Sequence, residues 1–254
     1  MKINIYTLII IVGLFNYSRA QYKEELQSNE VLLNVYSLRS SGANIVKDYV
    51  FNSLKVRYVK SNIDKILSKA EIDQLNIEIF AKTHPYLQKP VEKLAGLRLK
   101  GRMLILKNPE KERVKKMKVV FDKLLQISDM IINAIKKQEN IKDKQSVIAV
   151  NQLDVYGQKL AIYYALRHIF KDYITDADLQ QTMNNFKKSL SILQNLKLQN
   201  AQHNQLIKNI QADWEMLEKM VKKNDSNMIN IVYMLSNKIT NNCQKLTDLF
   251  IKKK

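Results

Sequence analysis

The sequence predicts an all-α fold, an up-and-down helical bundle, and three observations support this. Only 5 Gly and 3 Pro occur in 254 residues, so the residues that most often form turns are scarce. Leu, Lys and Gln, which favour helices, are abundant. Apolar residues recur at three- and four-residue steps, the period of a helix that buries one face. A hydrophobic fraction of 46% is enough to form a core.

Residues 1–20 are predicted to be a secretory signal peptide. Lys2 precedes an apolar run from Ile3 to Phe15, and the small residues Ser18 and Ala20 indicate cleavage after Ala20. The run is too short for a comfortable membrane span, although an uncleaved signal anchor is the alternative. We therefore expect a periplasmic or secreted protein with no stable membrane span after signal cleavage.

The first half of the remaining chain contains two clear helical stripes. The first helix, within about 28–58, carries Val31, Val35, Leu38, Gly42, Ile45 and Tyr49. Around 62–87 the pattern changes, and Pro85 and Pro90 are expected to break it. A further helix is predicted from about 110 to 137, with Val120, Leu124, Ile131 and Ile135 on its stripe.

The second half predicts four amphipathic helices joined by short polar links. The first covers about 146–172, and Thr175 with Asp178 forms a weak capping box that starts the second. Asp225 or Ser226 can cap the fourth helix. The stripes of the second and third helices are Leu179, Met183, Phe186, Leu190 and Leu193, then Ile207, Ile210, Trp214, Leu217 and Val221. A four-helix bundle is the simplest way to bury four such stripes.

A shift of 115 residues aligns the two halves, placing Gly42 on Gly157 and Tyr49 on Tyr164. The other pairs are Val35/Val150, Leu38/Leu153, Ile45/Leu160, Leu99/Trp214, Val120/Leu235, Leu124/Ile239, Ile131/Leu246 and Ile135/Phe250. Any two amphipathic helices can be slid into phase, so chance matching is the alternative. The paired glycines and tyrosines favour a duplication. We predict tandem four-helix repeats at 28–139 and 143–252, although the segment 62–87 does not keep the shift.

The chain is strongly basic, with 42 Lys and Arg against 24 Asp and Glu and a net charge of +18. Such a charge attracts small anions and anionic surfaces. The lysines are spread along every helix, without an arginine-rich cluster or an aromatic platform for bases, so no nucleic acid partner is expected. The expected partner is a small anion or an envelope protein, and a homodimer is possible.

Residue types that carry chemistry do not cluster in this sequence. His84, His168 and His203 are far apart, and only Asp172 stands at ligand spacing from His168, so no metal site is expected. No phosphate-binding loop, nucleophile elbow or catalytic pair is present. We therefore expect no enzyme activity and no cofactor. Cys243 falls on the apolar stripe of the last helix and is expected to be a buried thiol; a reactive thiol or an intermolecular disulfide is the alternative.

Two regions of the chain resemble a known sensor family. From Leu33-Asn34 to Lys47-Asp48-Tyr49, and in the patterns at 186–193, Trp214 and 225–246, the chain resembles the periplasmic N-terminal domain of type IV pilus methyl-accepting chemotaxis transducers and of nitrate-sensor histidine kinases. The resemblance covers most of 28–252. It implies a helical bundle, often duplicated, in which each copy opens with a helix bearing Asn-x-Ala-Gly-x-x-Arg-Met-x-Ser-x-Arg followed by Lys-Asp-Tyr.

The resemblance places Arg39 at the family's central arginine, which in nitrate sensors contacts the anion across a subunit interface. Tyr36 and Ser37 replace the Ala-Gly pair, Ser40 replaces Met, and Asp154 stands at the matching point of the second copy. In a monomer Arg39 can at most face Asp154, so we expect no nitrate binding there. Helical geometry puts Arg39 on the flank of the buried stripe. It can be solvated, salt-bridged, or grip an oxyanion.

The sequence therefore favours a non-catalytic exported sensor-like domain that binds a small anion or an envelope protein, without a signalling module of its own. The alternative is a structural interaction or scaffold protein of the cell envelope, with no small-molecule ligand. A pocket around Arg39 would favour the first interpretation. A filled core with Arg39 in bulk water would favour the second.

Overall fold

The computed structural model describes residues 27–56, 63–139, 145–196, 198 and 200–251, so the predicted signal peptide lies outside the described residues. The described chain is almost entirely helical and contains no strand. Its helices are α1 (Ser28–Ser53), α2 (Ile63–Thr83), α3 (Pro85–Ile105), α4 (Lys111–Glu139), α5 (Gln145–Ile169), α6 (Asp176–Asn195), α7 (Ala201–Lys223) and α8 (Ile229–Ile251). The predicted all-α, up-and-down fold is confirmed. None of the described helices is long and apolar enough to cross a membrane.

Local signals define the helix ends in the second half. The predicted capping box is present: Thr175 Oγ1 accepts from the Asp178 N–H at 3.1 Å, and Asp178 Oδ2 accepts from the Thr175 N–H at 2.9 Å. Asn224, at φ 51°, ends α7 in the left-handed conformation that asparagine tolerates. The Asp225 carboxylate accepts from the Asn227 N–H at 2.9 Å. It thereby caps a short 3-10 turn that leads into α8.

One of the two prolines of α3 behaves as predicted, since Pro85 marks the break between α2 and α3. Pro85 occupies the first helical position, where a missing N–H loses no helical hydrogen bond. Pro90 was expected to break the helix, and this was wrong, because α3 continues through it and buries its ring. The helix loses one backbone hydrogen bond near its start.

Two central helices, α1 and α5, hold the fold together. In the first half, α1 packs on α2 and α4, and α3 packs on α4. In the second half, α5 packs on α6 and α8, and α7 packs on α8. The halves meet where α1 packs against α5. Every residue from 160 to 166 is buried, as expected for a helix with neighbours on all sides.

The close helix crossings of the two halves use matching residues. A Cβ placed on Gly42 would lie 2.1 Å from Leu124 Cδ2, so α1 approaches α4 closely at a glycine. A Cβ on Gly157 would lie 3.0 Å from Ile239 Cγ2, where α5 approaches α8. The 115-residue shift aligns both glycines and both of their neighbours.

The paired tyrosines also make matching contacts. Tyr49 Oη donates to the Lys107 carbonyl at 3.3 Å, and Tyr164 Oη donates to the Asp225 carbonyl. Each carbonyl lies in the loop before the last helix of its half. The pairing of Leu99 with Trp214 was wrong, since Leu99 is 62% exposed and Trp214 only 2%, so α3 and α7 are in a different register. These contacts agree with a duplication, which stays a prediction.

Candidate ligand-binding cleft

Arg39, the residue that the sequence singles out, lies on the side of α1 that faces α4. It is 7% exposed, and its Nη1 is 2.7 Å from Asp129 Oδ1. The expected juxtaposition with Asp154 was wrong. Asp154 instead accepts hydrogen bonds from Ser40 and Gln158, because one step along a helix turns the side chain by about 100°. Arg39 therefore faces α4 while Ser40 faces α5.

A buried polar network joins the two halves between α1 and α5. Asp154 is 3% exposed and accepts from the Ser40 hydroxyl and, at 2.9 Å, from Gln158 Nε2. Burial raises the pKa of Asp154, and the hydrogen bonds act against that rise. Asn151 Nδ2 donates to the Tyr36 carbonyl at 2.8 Å. The amide oxygen of Asn151 is also buried and has no hydrogen-bond partner.

A second buried network joins α1 to α8. Lys47 is completely buried, and its Nζ donates to Asn237 Oδ1. Tyr233 Oη donates to Asp48 Oδ1 at 2.9 Å. Burial lowers the pKa of Lys47 to about 8, although Asp48 and Asp154 raise it. Burial raises the pKa of Asp48, which Lys47 and the Tyr233 hydrogen bond lower. Both charges are thus held inside the protein by polar partners.

Beside these networks lies a polar cleft formed by α1, α2, α5 and α8. It consists of two adjoining hollows of about 480 and 340 Å³ that share Ser40, Lys69 and Gln244. The larger hollow, here called the basic end, is lined by both Lys65 and Lys69. The smaller hollow, here called the acidic end, is lined by Asp73, Asp154 and Asp248 together with Lys69.

The acidic end contains buried oxygens without a hydrogen-bond partner, among them the acceptors of Asp73 and Asn151 and the hydroxyl of Ser37. Asp73 is 6% exposed, and its Oδ2 has no hydrogen-bond partner, like the Asn151 amide oxygen in the same hollow. Burial raises the pKa of Asp73, while the Ser37 hydroxyl, which can donate to its carboxyl, and the nearby Lys69 lower it. Leaving a buried acceptor unpaired costs about 1–3 kcal/mol. A ligand that donates hydrogen bonds would remove that cost.

The remaining reactive side chains are placed in packing roles. Cys243 is 1% exposed, so the predicted buried thiol is confirmed. Burial and the nearby Asp154 raise its pKa well above the ordinary value, which keeps it protonated. His203 stacks on Phe250, with ring centroids 4.8 Å apart, and His84 stacks on Phe80 at 3.7 Å. Within the described ranges, no three His, Cys, Asp or Glu residues are arranged to hold a metal ion.

Comparison with known proteins adds no relative: no family, no curated protein and no solved structure matches this chain. The resemblance to sensor domains of chemotaxis transducers and nitrate sensors therefore stays a prediction. The candidate site rests on the geometry of the polar cleft. Its key groups, Asp73 and Asn151, are not among the residues that the sequence indicated.

Proposed function

We propose that this protein is a non-catalytic, exported, sensor-like binding domain whose polar cleft takes a small zwitterionic ligand of the amino-acid class. The observation that carries the proposal is the pair of buried, unpaired acceptors at the acidic end, Asp73 Oδ2 and the Asn151 amide oxygen. Both line a hollow in a protein that otherwise carries a large positive charge.

A primary ammonium group suits the acidic end. It offers three N–H donors and no acceptor, and the acidic end presents acceptors that lack donors. A hydrogen bond between an ammonium and a carboxylate is roughly twice as strong as a neutral one. Asp154 adds little further attraction, because its carboxylate already accepts from Ser40 and Gln158.

A carboxylate suits the basic end. Lys65, Lys69 and Asn237 line that hollow. The buried Lys47 donates a hydrogen bond to Asn237. Among the described residues that line the hollow, Asp48 is the only one with a carboxylate, and its Oδ1 accepts a hydrogen bond from Tyr233. The small anion expected from the sequence becomes, in this proposal, the carboxylate of the ligand, and Lys69 lies between the two ends of the cleft.

The size of the cleft agrees with a small organic ligand. The acidic end alone, at about 340 Å³, is within the range of about 300–1,000 Å³ that is usual for small-molecule sites. Val147, Val150 and Ile251 also line it. An amino acid with an aliphatic side chain therefore matches both the polar and the apolar walls.

Calorimetric titration with three groups of compounds tests the proposal. We expect binding of aliphatic amino acids, weaker binding of the corresponding alkylamines, and none of the corresponding carboxylates. Asp73→Asn should weaken binding by about ten- to a hundredfold, since a charge-assisted hydrogen bond contributes about 1.5–3 kcal/mol. Asp64→Asn, a matched change at an exposed position of α2, should leave the affinity unchanged.

The opposite pattern would refute the zwitterion proposal: carboxylates that bind as well as amino acids, or an affinity that Asp73→Asn leaves intact.

The alternative, an interaction protein of the cell envelope, has one structural feature in its favour. Exposed apolar residues repeat at helical spacing on α2 and α3, which pack together; they are Ile72, Leu75, Ile79, Leu99, Met103 and Leu106. Two results together would support that alternative: the protein binds none of the compounds, and it self-associates in sedimentation equilibrium. The Leu75→Lys variant should then no longer self-associate.

A further inference from the structure

A second hollow, unlike the polar cleft, lies inside the first half among α1, α2, α3 and α4. Its volume is about 80 Å³ and its walls are almost wholly apolar. Small residues on three of the four helices leave this space open, namely Gly42, Ala70 and Gly101. Leu124 and Phe121 close it from α4. We call it the apolar cavity.

The second half has the same helix contacts and carries larger residues at two of the corresponding positions. The buried positions of α2 and α6 follow one spacing, and Ala70 in α2 corresponds to Leu179 in α6. Likewise, Gly101 of α3 corresponds to Leu217 of α7. The smaller residues of the first half therefore leave the space that the apolar cavity occupies.

Among the described residues on the lining of the apolar cavity, Gln74 has a buried polar atom without a partner. Gln74 is completely buried and lines the cavity, and its Nε2 donates to Glu78 Oε1 at 2.6 Å. An ionised carboxylate only accepts, so the amide nitrogen must face Glu78. The amide oxygen on the other side has no donor. A ligand hydroxyl in the cavity would supply the missing donor.

Two arginines of α3 lie on the lining of the apolar cavity. Arg102 is paired with Glu71, with Nη1 2.7 Å from Oε1. Arg98 is exposed and, among the described residues, has no carboxylate partner. A free guanidinium next to an apolar opening is suited to a carboxylate, which it can bind through two parallel hydrogen bonds.

We propose that the apolar cavity binds an aliphatic hydroxy acid, with its alkyl end inside, its hydroxyl donating to Gln74 Oε1 and its carboxylate at Arg98. The volume is about half that of the 150 Å³ cavity known to hold benzene, so it receives the end of a chain while the head group stays at the mouth. This site is separate from the polar cleft, and the failure of either proposal leaves the other standing.

Titration of the full chain with 3-hydroxyoctanoate, octanoate and 1-octanol tests the assignment, with each probe kept below its micelle concentration. We expect 3-hydroxyoctanoate to bind most tightly, octanoate about tenfold more weakly, and octanol more weakly still, because each step removes one hydrogen-bonding group. Octanol binding as tightly as 3-hydroxyoctanoate would overturn the proposal.

Variants locate the binding. Ala70→Leu places in α2 the larger residue that α6 carries and should abolish binding of all three probes; circular dichroism checks that it folds. Arg98→Gln should weaken the two acids at least tenfold and leave octanol unchanged. Lys100→Gln, at an exposed position of α3 away from the cavity lining, is the matched control and should bind normally. Unchanged binding in a folded Ala70→Leu protein, or equal loss in Arg98→Gln and Lys100→Gln, contradicts the site.

Discussion

The second half of the molecule is packed around a stacked aromatic pair, whereas the first half leaves space at its centre. Phe186 of α6 and Trp214 of α7 have ring centroids 3.6 Å apart and planes 7° apart, and both are almost completely buried. In the first half, Ile77 stands where α6 has Phe186, and the apolar cavity lies nearby. One helix arrangement thus supports both a filled and a hollow interior.

At three aligned buried positions the first half carries a more polar residue than the second half. The buried face of α2 carries Asp73 and Gln74, whereas the matching positions of α6 carry Thr182 and Met183. Along α1, the completely buried Lys47 aligns with Ile162 of α5, which is also completely buried. Buried polar groups that cost stability are expected where they serve a function. Asp73 lines the polar cleft and Gln74 lines the apolar cavity, so both proposed sites use polar residues that α6 lacks at the matching positions.

The largest expected effect is a loss of stability when the stacked aromatic pair of the second half is disrupted. Trp214→Ala should lower the free energy of unfolding by about 3–5 kcal/mol, because it removes a large buried ring and leaves a cavity. Leu97→Ala, on the wall of the apolar cavity, should cost about 2 kcal/mol, since this wall already lacks some packing partners. Urea denaturation followed by circular dichroism measures both.

Met216→Ala is the control for the tryptophan change, because this side chain of α7 is 50% exposed and its removal should alter stability by less than about 0.5 kcal/mol. Equal losses for Trp214→Ala and Leu97→Ala would show that the two interiors are packed alike. In that case the contrast between the halves would not hold.

Substitution of the paired glycines should change the free energy of unfolding by a smaller amount, and the two changes should differ between the halves. Gly157→Ala should cost about 1–3 kcal/mol, since its Cβ would meet the Cγ2 of a fully buried Ile239 at 3.0 Å. Gly42→Ala brings its Cβ even closer to Leu124, at 2.1 Å. It should nevertheless cost less, because Leu124 is partly exposed and borders the apolar cavity, into which it can turn.

Thermal unfolding of the two alanine variants, compared with Gly96→Ala, measures this difference. A Cβ at Gly96 would meet no atom within 4 Å, so that change should stabilise α3 by about 0.5–1 kcal/mol through helix propensity alone. If Gly42→Ala proves more damaging than Gly157→Ala, Leu124 does not turn into the cavity, and the first half is less adaptable than its hollow suggests.

The sequence predicts the helices well because their signals are local. The apolar stripe through Leu179 and Phe186, and the capping box at Thr175, are both found in α6. The sequence also pairs Gly42 with Gly157, but it did not predict that each glycine lies at a close helix crossing. Helical spacing determines which face is buried, and that information is contained in each segment by itself.

The cleft was not predicted, because it depends on contacts between distant segments. Asp73 interrupts the apolar stripe of α2, and this interruption is the only local sign of a site. Asn151 lies on α5, which is buried on most sides, so no single face distinguishes it. The pairing of Arg39 with Asp129 joins α1 to α4, and no spacing within either helix indicates such a partner.

The smallest expected effect concerns the buried charge at Lys47 and its dependence on pH. Its pKa is about 8 in the folded protein, because burial outweighs the attraction of Asp48 and Asp154, and about 10.4 in an unfolded chain. Between these values the unfolded state binds more protons than the folded state, so stability rises with pH. From pH 7.5 to 9 the gain should be about 1 kcal/mol.

Urea denaturation at several pH values in that range, comparing the native protein with Lys47→Met, measures the slope. Stopping at pH 9 limits the opposing contributions of Cys243 and of Tyr164, Tyr163 and Tyr233, whose pKa values burial raises in the folded state. Lys47→Met should remove the gain, whereas Lys93→Met, at an exposed position of α3, should retain it. If the native protein and Lys47→Met change stability in parallel over this range, Lys47 keeps an ordinary pKa, since the other titrating groups are common to both proteins. Burying Lys47 in the first half would then lower the stability of the fold no more than burying Ile162 does at the aligned position of the second half.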